Sequence, residues 1–174
     1  MEERGTSLGD RLRELRAARG LSLSELARVA GIGKATLSGL EHGTRNPTLE
    51  TLYAVAGALG VPLTALVREQ HGEPVRGSAV TATLLEVFDE PGVTFELLRM
   101  WVRPGVVQHS PPHAPGVTEH VTVWQGVLRA GPAGAPLVAG PGEHIAWAAD
   151  VPHVYGTVGP DEVVATLLIR SPRA

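Results

Sequence analysis

A chain of 174 residues holds one medium domain or two small ones, and 43% apolar against 19% charged residues is enough apolar matter for a packed core. The absence of cysteine excludes disulfides and thiolate chemistry, and no run of eighteen apolar residues offers a membrane-crossing helix. The net charge of −3 is uneven: nine Lys/Arg stand against eight Asp/Glu in residues 1–70, and six against ten in residues 71–174. The near-neutral first part brings no basic patch of the kind phosphate contacts use, so a nucleic-acid reading has to rest on motifs.

The opening residues, MEERGTSLGD, lack a basic segment followed by an apolar one, so a cytoplasmic protein is expected. Ser7, with Asp10 three residues on, is placed to cap a first helix whose buried stripe is Leu8, Leu12 and Leu15. Arg11, Arg13, Arg16 and Arg19 lie on its other faces. Ser22 and Glu25 have capping-box spacing, and Leu23, Leu26, Ala27 and Ala30 then share one helical face. Gly31 stops that helix. Ile32 and Leu37, on either side of a cap at Gly33, fit a hydrophobic staple for a second short helix. In it Leu37 and Leu40 turn inward, Lys34, Ala35, Ser38 and Gly39 turn outward, and Gly43 ends it. A polar loop, Thr44-Arg45-Asn46, follows. Thr48 caps a fourth helix with Leu49, Leu52, Val55, Ala56 and Leu59 on its apolar side, and Gly60 closes it. Pro62 opens a short fifth helix with Leu63, Leu66 and Val67. Residues 69–78, EQHGEPVRGS, read as a linker.

Two short helices around a glycine turn suggest a helix-turn-helix, whose second helix enters the DNA major groove; a helical domain that touches no nucleic acid has the same periodicity. The stretch LGDRLRELRAARGLSLSELARVAG, continued by IGKATLSGLEHGTRNPTLETLYAVAGALGVPLTALV, resembles the Cro/C1-type (XRE) helix-turn-helix domain from Leu8 to Val67 without a gap. The resemblance implies double-stranded DNA as partner, with Lys34, Ala35, Thr36 and Ser38 on the recognition helix and Thr44, Arg45 and Asn46 as a phosphate clamp. Lys34 opens that helix and can donate to guanine O6 and N7, and Ala35 can pack on a thymine methyl. The resemblance also implies an ion pair between Arg16 and Glu41. Gly39 departs from the longer side chain common at that position, which puts direct readout there in doubt.

From Ala79 onward the pattern changes to short runs rich in Val, Thr, Leu and aromatics, separated by Gly and Pro clusters. Strands are predicted over Ala79–Leu85, Val93–Val102, Val117–Trp124, Val127–Ala130, Leu137–Val138, Glu143–Trp147, His153–Val158 and Glu162–Arg170. That many short strands with regular turns indicate a β-sandwich or small barrel.

Five of the seven histidines lie between positions 109 and 153. His113, Glu119 and His153 are groups that can make an open divalent-metal site or hold a polar ligand, although His and Glu on turns are most often simply solvated. Residues 79–170 resemble a cupin, a double-stranded β-helix or jelly-roll barrel: Glu119 and Gly126 keep that family's spacing, His113 falls where its first histidine belongs, and Gly142 and His153 represent its second motif. Pro115 occupies the place of the second histidine, and Ala148, Asp150 and Thr157 replace the usual Pro, Gly and Asn. Three of four usual ligand positions remain: His113, Glu119 and His153 could hold a divalent metal (Zn, Mn, Fe or Ni) with water completing the shell, and a metal-free pocket is equally consistent. His109 or His120 could replace the missing histidine, though His120 follows Glu119 and points to the opposite strand face. Tyr155 shares parity with His153 and is expected on the pocket wall; Trp124 lies opposite Glu119 and is expected to pack.

The order of the halves resembles the helix-turn-helix–cupin transcriptional regulators. The implied fold is an all-α five-helix domain over residues 1–68, a linker over 69–78 and an all-β cupin over 79–174. The implied protein is a homodimeric, sequence-specific regulator on a near-palindromic operator, with a cupin that senses an unidentified small molecule, no catalytic residue and no membrane partner. The rival reading is a metal-dependent isomerase, epimerase or dioxygenase of cupin type with a DNA-binding head, which Pro115 in the ligand set disfavours. A third is a barrel that only dimerises the head.

Overall fold

The computed structural model describes residues 7–67 and 74–173. Helices fill its first part: α1 (Leu8–Ala18), α2 (Leu23–Val29), α3 (Lys34–Glu41), α4 (Leu49–Leu59) and α5 (Thr64–Val67). The predicted caps form. Ser7 accepts from the Asp10 N–H, Ser22 and Glu25 close a reciprocal capping box, and Thr48 accepts from the Thr51 N–H. Each such cap stabilises its helix by about 1 kcal/mol. Gly31, Gly43 and Gly60 end α2, α3 and α4 at φ of 66°, 67° and 63°, where a side chain would be strained. Leu12, Leu26, Leu37, Leu40, Leu52 and Leu59 form the buried centre of this part. No helix among the described residues is long and apolar enough to cross a membrane.

Strands fill the second part: β1 (Pro74–Arg76), β2 (Val80–Glu90), β3 (Val93–Val102), β4 (Gln108–Ser110), β5 (Thr118–Gln125), β6 (Leu128–Pro132), β7 (Leu137–Ala139), β8 (His144–Ala148), β9 (His153–Thr157) and β10 (Val163–Pro172). They make a six-stranded sheet in the order β1-β2-β3-β10-β5-β8 and a four-stranded sheet in the order β4-β9-β6-β7. All the strand pairs are antiparallel. Alternation sets the inner face: along β10, Val163, Ala165, Leu167 and Ile169 are buried while Val164, Thr166 and Leu168 are only half-buried.

The eight expected strands are all present, and two were missed. β1 lies inside the segment expected as linker: Pro74–Arg76 pairs with Thr81–Thr83, so residues 74–76 belong to the sheet, and the expected linker residues 69–73 lie outside the described residues. β4 is three residues long and pairs only with β9, too short to show a period. Trp124 corrects another expectation. It is 61% exposed on the outer face and donates its indole N–H to the Thr166 hydroxyl at 2.7 Å rather than packing in a core.

The helices dock on the barrel through α4 and α5. Glu50 accepts from the N–H and the hydroxyl of Ser78, both at 2.8 Å, and the Thr64 N–H donates to the Glu96 carboxylate at 2.6 Å. Tyr53, one turn further along α4, sets its ring edge against His113 with centroids 4.6 Å apart.

Candidate functional site

The first surface is α3 and the loop after it. Lys34 and Ala35 are exposed at the N-terminal end of α3, Thr36 and Ser38 are half-buried, and Thr44, Arg45 and Asn46 are exposed. The loop is tied to the helix through one carbonyl: that of Gly39 accepts from the Thr44 N–H (2.9 Å), the Arg45 N–H (3.3 Å) and the Thr44 hydroxyl (3.2 Å). A Cβ at position 39 would meet Cγ and Cδ of Arg45 at 3.0 Å. The missing side chain thus gives the Arg45 stem its bed on α3. The His42 ring donates from Nδ1 to the Ser38 carbonyl at 2.7 Å and closes the same helix end.

Behind α3 lies a buried ion pair. Glu41 is nearly buried and takes Arg16 in fork geometry: Nε to Oε1 at 2.6 Å and the terminal nitrogen to Oε2 at 2.8 Å. Arg16 also donates to the Leu21 carbonyl, and Arg13 to the carbonyl of Glu41 at 2.7 Å. The carboxylate beside it holds the Arg16 guanidinium above its ordinary value. Gly9 lets α1 come this close, since a Cβ there would stand 2.7 Å from the Leu40 and Glu41 carbonyls.

The second site is inside the barrel. β5 brings Glu119, β9 brings His153 and Tyr155, and the loop between β4 and β5 brings His113. The candidate ligand atoms of His113, Glu119 and His153 lie within 4.8 Å of one another. The His113 Nε2–H donates to Glu119 Oε1 at 2.8 Å, His153 Nε2 stands 3.7 Å from the same oxygen, and the Tyr155 hydroxyl donates to Glu119 Oε2. The Val151 carbonyl accepts from Nδ1 of His153 at 2.9 Å. A carbonyl can only accept, so Nδ1 carries the proton and Nε2 is the atom turned to Glu119. Burial pushes the Glu119 carboxyl up, but the His113 hydrogen bond and charge, with His153 and the Tyr155 hydroxyl, more than offset this and hold it below its ordinary range. Tyr155 is pushed well up by burial and then by Glu119, so it stays a phenol and a donor.

The residues present fit a divalent ion. Bond lengths of about 2.1 Å at tetrahedral angles place ligand atoms roughly 3.4 Å apart, and the two distances to Glu119 Oε1 are 2.8 and 3.7 Å. The Nδ1–H···O=C bond of His153 is the outer-shell contact that fixes a ligating imidazole. Neither proposed substitute for the missing histidine reaches the site. His109 is exposed on β4, and His120 lies on the outer face, stacked on His144 at 5.6 Å.

Three contributors escaped the sequence reading. Tyr53 adds a second apolar side to α4, with Leu49 and Ala56, and a helix apolar on two sides faces two bodies. Glu96 sits in the inward register of Leu98, Met100 and Val102 on β3, a carboxylate where alternation demands an apolar residue. Trp147 sets its ring 5.9 Å from Tyr155 and 6.4 Å from His153, where its place in β8 gave no sign of the cluster.

The helix-turn-helix family model (HTH_3) matches residues 12–66. The HTH-type transcriptional regulator SutR of Escherichia coli is 35% identical over 179 residues, covering all of both chains. The crystal structure of an HTH_3 family transcriptional regulator from Vibrio cholerae is similar over 97% of each chain, with 27% identity and a TM-score of 0.84. The cupin_2 domain of an XRE family transcriptional regulator from Enterobacter cloacae, 31% identical with a TM-score of 0.50, covers 55% of this chain and all of that one. On a full-length match of this kind, with α1–α5 on one side and the two-sheet barrel on the other, the chain belongs to the HTH-type transcriptional regulators that join an XRE helix-turn-helix to a cupin.

Proposed function

We propose that this regulator works in the cytoplasm as a homodimer and changes its grip on DNA when a small molecule binds at its cupin half. Two copies of α3 enter successive major grooves of a near-palindromic operator, about 34 Å apart. Lys34 reads guanine and Ala35 packs on a thymine methyl, with Thr36 and Ser38 beside them. Thr44, Arg45 and Asn46 hold phosphates, and the bed at Gly39 fixes the angle of Arg45. His113, Glu119 and His153 would hold a divalent ion; bound there, it would polarise water or another oxygen ligand as a Lewis acid. Tyr155 keeps Glu119 oriented, and His153 keeps its ring angle through Val151.

The observation that carries the sensing half is the polar cluster itself: Glu119 and His153, each 1% exposed, are gathered on one another inside the barrel. Burying such groups costs free energy that packing alone does not require. Tyr53 favours a sensor over an enzyme, because it brings the DNA-binding part into contact with the site.

Fluorescence anisotropy on the intergenic DNA upstream of the protein's own gene, at two salt concentrations and beside a scrambled duplex, tests the DNA half. Preference for the native duplex, lost in Lys34→Ala and Arg45→Ala, is expected. Equal, salt-sensitive binding to both duplexes would sink it.

A further inference from the structure

The helical part and the barrel meet over a cavity of about 320 Å³, at the low end of small-molecule pockets. Its wall is shared. Ala56, Val61 and Leu63 come from α4 and the loop after it, and Glu96, His113 and Ile169 come from the barrel.

Two groups in this wall carry hydrogen-bonding capacity that the contacts of the fold leave unused. The Tyr53 hydroxyl is buried and has no hydrogen-bond partner among the described residues. Its ring alone makes the contact with His113, so phenylalanine would serve the packing equally. Glu96 is 1% exposed in a register shared with Leu98 and Met100; Thr64 bonds it through both its N–H and its side chain, and the carboxylate keeps acceptor capacity beyond these. Arg173 also borders the cavity, but its guanidinium is engaged by Asp89 and the Thr94 hydroxyl. The charge facing the space is therefore acidic.

We propose that this seam is the effector site for a small amphipathic amine, whose ammonium sits on Glu96 and the Tyr53 hydroxyl and whose apolar body packs on Ala56, Val61 and Ile169. The proposal rests on the sensor reading above and says where the effector lies. Each part of the protein supplies half of the wall, so the amine binds the docked arrangement and not a separated one. That difference in affinity is what lets a ligand shift the placement of the DNA-binding surface. Tyr53 touches both the amine and His113, so occupancy of the seam is felt at the histidine–carboxylate cluster.

The test is calorimetric titration of the full chain with benzylamine, phenethylamine and cyclohexylmethylamine, with phenylethanol and phenylacetate as neutral and anionic controls. At least one amine is expected to bind saturably and phenylacetate not at all. Glu96→Gln is expected to weaken the amine tenfold or more, and Tyr53→Phe threefold or more, with melting curves confirming that both variants fold. No saturable binding by any of the amines, binding unmoved in both variants, or tighter binding of phenylacetate would overturn the site. Operator anisotropy at saturating amine separates the two levels: amine bound with operator affinity unmoved overturns the sensor reading, whereas absent amine binding in a protein that still prefers its operator overturns the seam alone.

Discussion

The helical part carries its candidate site outside and on adjacent residues, while the barrel holds its candidate site inside and gathers it from far apart. Lys34 to Asn46 lie within thirteen consecutive positions on one helix and its loop. Glu96, His113, Glu119, His153 and Tyr155 come from three strands and a loop, and each is largely buried. The first surface depends on a support behind it, the second on a set of mutual hydrogen bonds. The two should therefore break differently: the DNA surface through loss of its rear support or of single exposed contacts, the cluster through titration.

The largest effect is expected behind the recognition helix. Removing one partner of a buried ion pair costs about 3–5 kcal/mol, because the other charge is left desolvated. Arg16→Ala strands Glu41, whose side chain is 3% exposed, although Arg13 at 3.8 Å softens the loss. A fall in helical stability near the low end of that range is expected in urea unfolding, with the barrel's tryptophan signal unchanged. A loss under 1 kcal/mol would mean that Arg13 substitutes fully.

Next come the exposed contacts. A good base contact is worth about 1–3 kcal/mol, so Lys34→Ala should lose roughly tenfold to a hundredfold in operator preference without changing stability. Gly39→Ala makes a sharper case. Alanine raises helix propensity by about 1 kcal/mol, yet its Cβ would press on the Arg45 stem at 3.0 Å. The expected outcome is a helical part of equal or greater stability with weaker operator binding, read by melting and anisotropy together. Unchanged anisotropy would show that the placement of Arg45 is incidental.

The barrel's counterpart is a dependence on pH, and its two buried carboxylates oppose each other. Glu119 is held below its ordinary value, so its contribution is present above the unfolded carboxylate pKa of about 4.3 and is lost as pH falls through its folded value. Glu96 is pushed up by burial, only partly offset by its hydrogen bonds from Thr64. Its contribution is present below about 4.3 and is lost as pH rises through the raised folded value. Difference curves of stability against pH for Glu119→Gln and Glu96→Gln should slope in opposite directions. Metal affinity at His113, Glu119 and His153 should also fall with acid, because protons compete with the ion for imidazole nitrogens and carboxylate oxygens.

The same contrast explains what could be read from the chain. Ser22, Glu25, Gly31 and Gly43 act on neighbours three or four residues away, so caps and helix ends were legible one by one. His113, Glu119 and His153 were legible only through the cupin resemblance and Tyr155 through strand parity, and the structure brings all four together. Tyr53 and Glu96 were not, because their partners lie on the other side of the seam between the two parts, and no local pattern encodes docking. Trp124 was misplaced for a related reason: alternation put it opposite Glu119 correctly, but parity does not tell whether the outer face is covered.

The smallest expected effect asks whether the two parts are independent at all. Ser22→Ala removes one reciprocal cap on α2 and should cost about 1 kcal/mol, far from the barrel. The docking contacts include polar ones, Glu50 on Ser78 and Thr64 on Glu96, beside the ring of Tyr53 on His113. Interfaces of that kind leave relative motion as the default. The helical ellipticity should therefore melt earlier in the variant while the barrel's near-ultraviolet aromatic signal melts where it did. A shared shift of both signals would mean that docking already binds the halves into one cooperative unit. A ligand in the seam would then have little docking left to add. Separate melting leaves it the whole difference between a loose head and a placed one.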